Sequence, residues 1–470
     1  MEYRTEHDTL GEVKVPRDAY YGAQTQRAVE NFPVSGLRLP VPFVRAQAII
    51  KRAAARANLA AGSLDREIGE ALVAAAEEVM EGRFDDQFVV DAFQAGAGTS
   101  QNMNINEILA NRANELLGGE LGVYDRVHPN DHANMAQSTN DTIHAAIHIA
   151  AVCEIRERLS PEVGRLAEAL EHKAIEFDHI VKAGRTHLQD AAPMRLGQEF
   201  GAYARMVRLG QMRIAAACES LMPLCIGGTA VGTGLNTSPG YRKNAIAQIN
   251  EATGYTFTSA DNLFEAMQGM DAVVETAGAL RVLVTSLRKI ADDLRLLGSG
   301  PRTGLAEIRL PAVQPGSSIM PGKVNPVMAE MLNMVCFQCL GCDTAIVSAA
   351  QAGQLELNVM MPVIAYNLLQ EIAILTRGLA AFTSRCIEGI EANEEVCQAN
   401  AERSPAVATA LNPAIGYEEA AKLAKEALAK GVPVRDLARE KKLLDERQLA
   451  KLLDLRRMTE DPGTAARKDD

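Results

Sequence analysis

The chain has 470 residues, 47% of them apolar and 23% charged, with a net charge of −12. That length allows about three domains. The acidic balance excludes nucleic acid and anionic membrane surfaces as partners, because both need a basic face, and any anionic substrate must be held by local donors against the global field. Tryptophan is absent and aromatics make up 4%, no apolar run reads as long enough to cross a bilayer, and eight scattered cysteines without a secretory signal point to free thiols in a reducing cytoplasm.

Residues 1–137 read as short helices mixed with loops. Asn31 to Pro42 is punctuated by proline and irregular, and Gly96 to Asn106 is dense in small polar residues, leading into a helix from about Glu107. Residues 138–392 have another character. Long helical stretches recur at Asp141–Phe177, Arg195–Leu224, Asn262–Leu297, Pro326–Ala352 and Asn358–Gly389, several of them longer than ordinary globular helices. The pattern predicts a bundle of long antiparallel helices, with a kink at Pro161. Polar or glycine-rich breaks separate them at Gly184–Pro193, Gly227–Gly240 and Gly298–Lys323. The helices are apolar on more than one face, which predicts burial against other subunits. Residues 393–470 shift to short, charged helices, with a frayed tail from Asp461. The expected fold is mainly all-α, in three domains.

Four polar clusters fall in the breaks: Gly98-Thr99-Ser100-Gln101-Asn102, Ser138-Thr139-Asn140-Asp141, Arg185-Thr186-His187-Leu188-Gln189-Asp190, and Gly316-Ser-Ser-Ile-Met-Pro-Gly-Lys-Val-Asn-Pro326. The last is the most informative. Gly316 and Gly322 can take backbone angles that other residues avoid, so the segment between them can open and shut as a lid. Lys323 and Asn325 put a cation and an amide at its base. A serine held among N–H donors beside a cation can lose its proton and serve as a base. The run is not a Walker A loop: five residues separate its glycines, and Val324 follows the lysine where a hydroxyl is required. Ser138 to Asp141 reads as an N-cap, and four such residues at a helix start also make an anion site. His187 gains a role only if a carboxylate orients it, and Glu330 is the candidate. The pairs His128/His132 and His144/His148 have metal-ligand spacing, but Pro129 keeps the first pair off a regular helix and the second has no acidic third ligand at a matching spacing. Cys336, Cys339 and Cys342 read as buried helical thiols, not as an iron–sulfur site.

With these residues in view, the chain resembles the fumarase/aspartase superfamily of helical lyases, nearly end to end, to about residue 460. The Gly316–Pro326 run looks like the family signature without substitution. Ala19-Tyr20-Tyr21-Gly22, Asn102-Met103-Asn104, His128-Pro129-Asn130-Asp131, Gly184-Arg185-Thr186-His187 and Gly228 to Asn236 support it. Gln94 to Ser100, Ser138 to Asp141, Gln198-Glu199-Phe200 and Ala352 to Asn358 are similar to the aspartase branch where the two branches differ. One departure is His144-Ala145, where the family usually has Pro-Thr.

The resemblance implies reversible elimination of ammonia from L-aspartate to give fumarate, through an enediolate that preorganised donors must stabilise. Class II fumarase, releasing water from malate, is the alternative, and a silent structural relative is a more distant one. It implies Ser317 as general base on the lid and His187, oriented by Glu330, opposite it. Thr99, Ser138, Thr139, Asn140, Thr186, Lys323 and Asn325 would surround the substrate. It further implies a homotetramer with sites composed from different subunits, and no metal or organic cofactor.

Overall fold

The computed structural model describes residues 2–460; the tail from Asp461 lies outside the described residues. In chain order the main elements are strands β1 (Tyr3–Asp8) and β2 (Gly11–Pro16), helices α1 (Ala23–Asn31), α2 (Val41–Ala60), α3 (Arg66–Met80), α4 (Thr99–Leu116), α5 (Thr139–Glu154) and α6 (Ser160–Glu176), strands β3 (Val181–Thr186) and β4 (Gln189–Arg195), then helices α7 (Leu196–Glu219), α8 (Tyr241–Thr253), α9 (Leu263–Gln268), α10 (Asp271–Leu297), α11 (Val327–Ala350), α12 (Met361–Arg385) and α13 (Glu394–Arg403). Short helices follow to Leu452. The fold is mainly α, as expected, and the five long stretches are mostly helical, but Asn262–Leu297 is two helices broken at Gly269–Met270, and α4 begins at Thr99, ahead of the expected Glu107.

Two hairpins depart from the sequence-based expectation. β1 and β2 pair antiparallel from Tyr3↔Pro16 to Asp8↔Gly11. The polar run of β1 hides the strand because its inward residue is Glu6, 3% exposed, paired with Arg4 at 2.6 Å. β3 and β4 form the second hairpin, with Thr186 opposite Gln189, where a loop was expected.

The segment from Asp141 to Phe177 is α5 and α6 joined by a π-helical turn, Ile155–Leu159. Pro161 lacks the N–H that would bond back one turn, and the wider turn just before it absorbs that loss. The expected kink is thus a π segment.

Packing divides the chain into two compact units. Unit 1 is Met1–Pro161, Gly210–Val284 and Phe337–Thr376; unit 2 is Glu162–Leu209, Thr285–Cys336 and Arg377–Asp470. The division cuts α7, α10, α11 and α12 crosswise, because helices this long supply residues to both units. In unit 1, α2 packs against α3, α5 and α8, using buried alanines at 46, 48, 53, 54, 55 and 57 that let helices approach closely. In unit 2, β3 packs on α13, and Val407, Leu411, Leu423, Leu437 and Leu449 form a separate apolar cluster near the chain end.

The long helices carry coiled-coil spacing. In α12 the fully buried residues include Met361, Ala365, Leu368, Ile372, Leu375, Leu379 and Phe382, a seam alternating steps of four and three, with Ile364, Glu371 and Thr383 buried beside it. In α11 the same rhythm takes in Ala329, Leu332, Cys336 and Cys339. The cysteine spacing is therefore that of a packing seam, and no cluster of three metal ligands exists among the described residues. α11 also corrects one expectation. By length and composition it is apolar enough to cross a membrane, with a mean hydropathy of 1.3. Its other face leaves Met334 67% and Phe337 51% exposed.

Candidate active site

The sequence-predicted residues fall into two groups. Thr99, Ser138, Thr139 and Asn140 belong to unit 1; Thr186, His187, Ser317, Lys323, Asn325 and Glu330 belong to unit 2.

In unit 1 the N-termini of α4 and α5 come together. Thr99 opens α4 behind Gly98, which has φ 82 and whose added Cβ would lie 3.2 Å from Ile143 of α5. Only glycine permits that turn at that approach. Ser138 caps α5 in a capping box: its hydroxyl accepts from Asn140 N at 3.2 Å, and Asp141 accepts from Ser138 N at 3.0 Å. Asp141 also takes the N–H groups of Gly227 and Thr229, both at 3.0 Å, seating the Gly228–Asn236 segment on the helix start. Burial pushes its carboxyl up to about 6, against the pull of those N–H groups. Asn140 donates its Nδ2 to Ala230 O at 2.7 Å. A carbonyl can only accept, so the amide is fixed with Oδ1 outward as an acceptor. Thr139 Oγ1 accepts from Asn102 Nδ2 at 3.2 Å, which leaves its own proton for another acceptor. Two hydroxyl donors, an amide acceptor and two helix N-termini thus converge, as an anion bearing an amine or hydroxyl requires.

In unit 2, Thr186 and His187 stand at the exposed end of the β3–β4 hairpin. His187 and Leu188 have φ 57 and 60. Positive φ at both central residues suits a two-residue hairpin turn, yet neither residue takes it readily. The strand below is anchored by Glu307, which is fully buried. Arg185 grips it at 2.7 and 3.0 Å, Lys182 lies at 3.0 Å, and Asn400 donates at 3.2 Å. Arg185 of the Gly-Arg-Thr-His motif therefore supports the hairpin. Glu307 has no spacing motif around it, and nothing in the sequence marks it.

The lid is a loop tied at its base. Gly316 N donates to Lys323 O at 2.9 Å, and Asn325 Nδ2 donates to Gly316 O at 2.5 Å. Asn325 thus spends one donor holding the loop closed. Gly322 has φ 79, a left-handed angle that glycine takes readily. Gly316 does not: a Cβ there would lie 2.4 Å from Lys323 O, so its requirement is close approach and not a special φ. Replacing Gly316 with alanine is expected to splay the loop base and lower kcat about 10²-fold through misplacement, with the unfolding midpoint nearly unchanged; steady-state kinetics beside thermal melts check this. Ser317 Oγ accepts from Ile319 N at 3.2 Å and Met320 N at 2.9 Å. Two N–H groups on one hydroxyl oxygen favour its anionic form. Among the described residues no hydrogen bond or ion pair joins His187 to Glu330 or to the lid within one chain.

The other histidines are absorbed locally. His128 Nδ1 accepts from Asn130 N and Asp131 N at 3.3 Å, and His132 Nδ1 accepts from His128 N at 2.8 Å. His144 donates to Gly269 O at 2.9 Å and stacks 4.7 Å from His148. Burial, with His144 beside it, pushes His148 down to about 3, while an unfolded histidine sits near 6.5. The unfolded chain then binds the proton more tightly, so stability is full above about pH 6.5 and drains as pH falls, by up to ~1.4 kcal/mol per unit. Glu371, pushed up to about 9 by burial, acts in the opposite sense. Urea unfolding of the natural chain against His148→Leu between pH 7 and pH 4 should isolate the histidine as a shallower slope in the variant.

Residues 11–341 match the Lyase family profile, and residues 407–460 match the profile of the fumarase C C-terminus. The chain is 49% identical to aspartate ammonia-lyase of Bacillus subtilis over 467 residues, 99% of this chain and 98% of that protein. It is 54% identical to class II fumarate hydratase of Halobacterium salinarum over 459 residues, 97% of each. The crystal structure of fumarate lyase:delta crystallin from Brucella melitensis bound to cobalt superposes with a TM-score of 0.94 at 47% identity, covering 98% of this chain and 100% of that one. Those matches span both groups of site residues, and with the capped helix starts and the tied serine loop they place the chain in the fumarase/aspartase superfamily of lyases.

Proposed function

We propose that the protein is an aspartate ammonia-lyase, eliminating ammonia from L-aspartate to give fumarate. Ser317 removes a proton from the carbon next to one carboxylate, the electron pair moves into that carboxylate as an enediolate, and its collapse forms the double bond as the C–N bond breaks and ammonia leaves. The observation that carries the reading is Asn140: with Nδ2 held on Ala230 O, the amide turns Oδ1 outward, an acceptor for the N–H groups of the departing amine. Thr99, Ser138, Thr139, Thr186, Lys323 and the remaining Asn325 hydrogen hold the two carboxylates. No step in this scheme calls on a metal or organic cofactor.

The site is composite, built in a homotetramer. His187 stands on an exposed hairpin, Glu330 has no histidine partner among the described residues, and the outward face of α11 exposes Met334 and Phe337. We place His187 against Glu330 of a neighbouring subunit. Sedimentation giving an active monomer contradicts this. The free thiols suit a cytoplasmic setting.

The second reading is class II fumarate hydratase, favoured by the relative at 54% identity. Ultraviolet detection of fumarate with L-aspartate and L-malate in parallel decides. Fumarate from aspartate supports the first reading; fumarate from malate alone replaces it with the second.

A further inference from the structure

Lys51 lies in the middle of α2, 3% exposed, on a buried face shared by Gln47, Ala48, Ala55 and Asn58. Its Nζ donates to Asn134 Oδ1 at 3.1 Å. The same oxygen receives Asn102 Nδ2 at 3.1 Å and Asn106 Nδ2 at 3.2 Å, while Asn134 Nδ2 donates to Gln137 O at 3.3 Å. Three donors on the oxygen and a carbonyl on the nitrogen leave that amide one orientation. Asn102 is then committed too. One amide hydrogen goes to Asn134 and the other to Thr139 Oγ1, and its Oδ1 faces Thr142 Oγ1 at 3.5 Å. An oxygen that accepts from Asn102 has its own proton free to donate elsewhere.

We propose that Lys51 is a positioning residue for carboxylate binding: through Asn134 and Asn102 it holds the Thr139 hydroxyl with its proton directed at the substrate anion. This rests on the reading of Thr139 as a carboxylate donor. A lysine at this depth carries a desolvation cost that a methionine of similar length avoids, and burial pushes its amine down to about 7. Asp141 is the carboxylate acting on it, but Asp141 is already taken by three backbone N–H groups, so Asn134 is the hydrogen-bond partner of Lys51. The amide chain ends at a hydroxyl on the first turn of α5.

The test is a double-mutant cycle between Lys51→Met and Thr139→Val in the full-length protein. It is read by calorimetric binding of succinate, a dicarboxylate that cannot eliminate, and by kcat and KM with L-aspartate and L-malate. Lys51→Met should weaken succinate about 10-fold and raise KM in proportion. Lys51→Gln, which keeps a donor, should recover part of that loss. The double variant should bind succinate no more weakly than Thr139→Val alone. Additive losses overturn the proposal, as does a Lys51→Met protein that melts lower yet keeps its succinate affinity. Should Lys51→Met not fold, Asn102→Ser carries the same cycle with the same two outcomes. Turnover of neither substrate would remove the proposed function while the succinate cycle still decides the role of Lys51. No succinate binding to the natural protein would overturn Thr139 as a carboxylate donor, and this proposal with it.

Discussion

Ser317→Ala is expected to cut turnover by about 10²–10⁴-fold, the range that a positioned general base contributes. The side chain is half-buried on a loop whose closure depends on the backbone of Gly316 and Lys323 and on the Asn325 amide, not on the serine. Two N–H groups lose an acceptor, but on a loop open to water, which satisfies them. Melting temperature should therefore stay within a degree or two. Succinate affinity should also hold, because the carboxylate donors are elsewhere. The combination matters: lost kcat with intact binding is the signature of a group that acts on the reacting proton. Turnover within 10-fold of the natural protein would remove Ser317 as the base.

Glu307→Ala should be the most destabilising single change at the site, about 3–5 kcal/mol, because it leaves the Arg185 guanidinium without its carboxylate and Lys182 with Glu199 alone. Lys182 is 3% and Arg185 16% exposed at the side chain, and both point at the same carboxylate, with Lys182 also 2.7 Å from Glu199. Burial alone would push the Glu307 carboxyl up, but Arg185 and Lys182 outweigh it and hold it below its ordinary value. The sign follows: this stability is full above about pH 4.5, the unfolded value, and drains as pH falls further. Urea midpoints at neutral pH measure the loss, and the gap between natural chain and Glu307→Gln should narrow in acid. Because the triad anchors the strand that ends in Thr186 and His187, kcat should fall along with stability. A variant with an unchanged midpoint would mean that the three charges are solvated, contrary to their burial.

Much of the helical architecture was legible in the chain. The stretches now seen as α7, α10, α11 and α12 are long, and their period is that of a packed seam. The hairpins were not, for two different reasons. β1 turns a glutamate inward where a strand pattern needs an apolar residue; Arg4 pairs with Glu6 locally, but the N–H of Ala23 and the hydroxyl of Tyr124, 17 and 118 positions away, reach it only in the fold. β3–β4 turns through His187 and Leu188 where the common turn residues would be Asn-Gly. The buried polar residues were missed because their partners are distant in sequence. Glu107 accepts from Gly22, Gln24 and Thr25 about 80 residues away, and Glu307 meets Arg185 across 122 positions. A faint signal existed for Lys51: Gln47, Lys51 and Asn58 mark a polar stripe at helical spacing along α2, and all three are buried.

By itself the sequence determined where the long helices run, the family signature and the set of polar residues, because period, capping chemistry and motif spacing are local properties of the chain. Only the tertiary structure decided which donors are still free. Asn140 keeps an acceptor, Thr139 keeps a proton and Asn325 has spent a hydrogen, since each depends on a partner that meets it only in the folded chain. The same holds for Gly316: its side chain is excluded by the carbonyl of Lys323, an atom that meets it only when the loop closes.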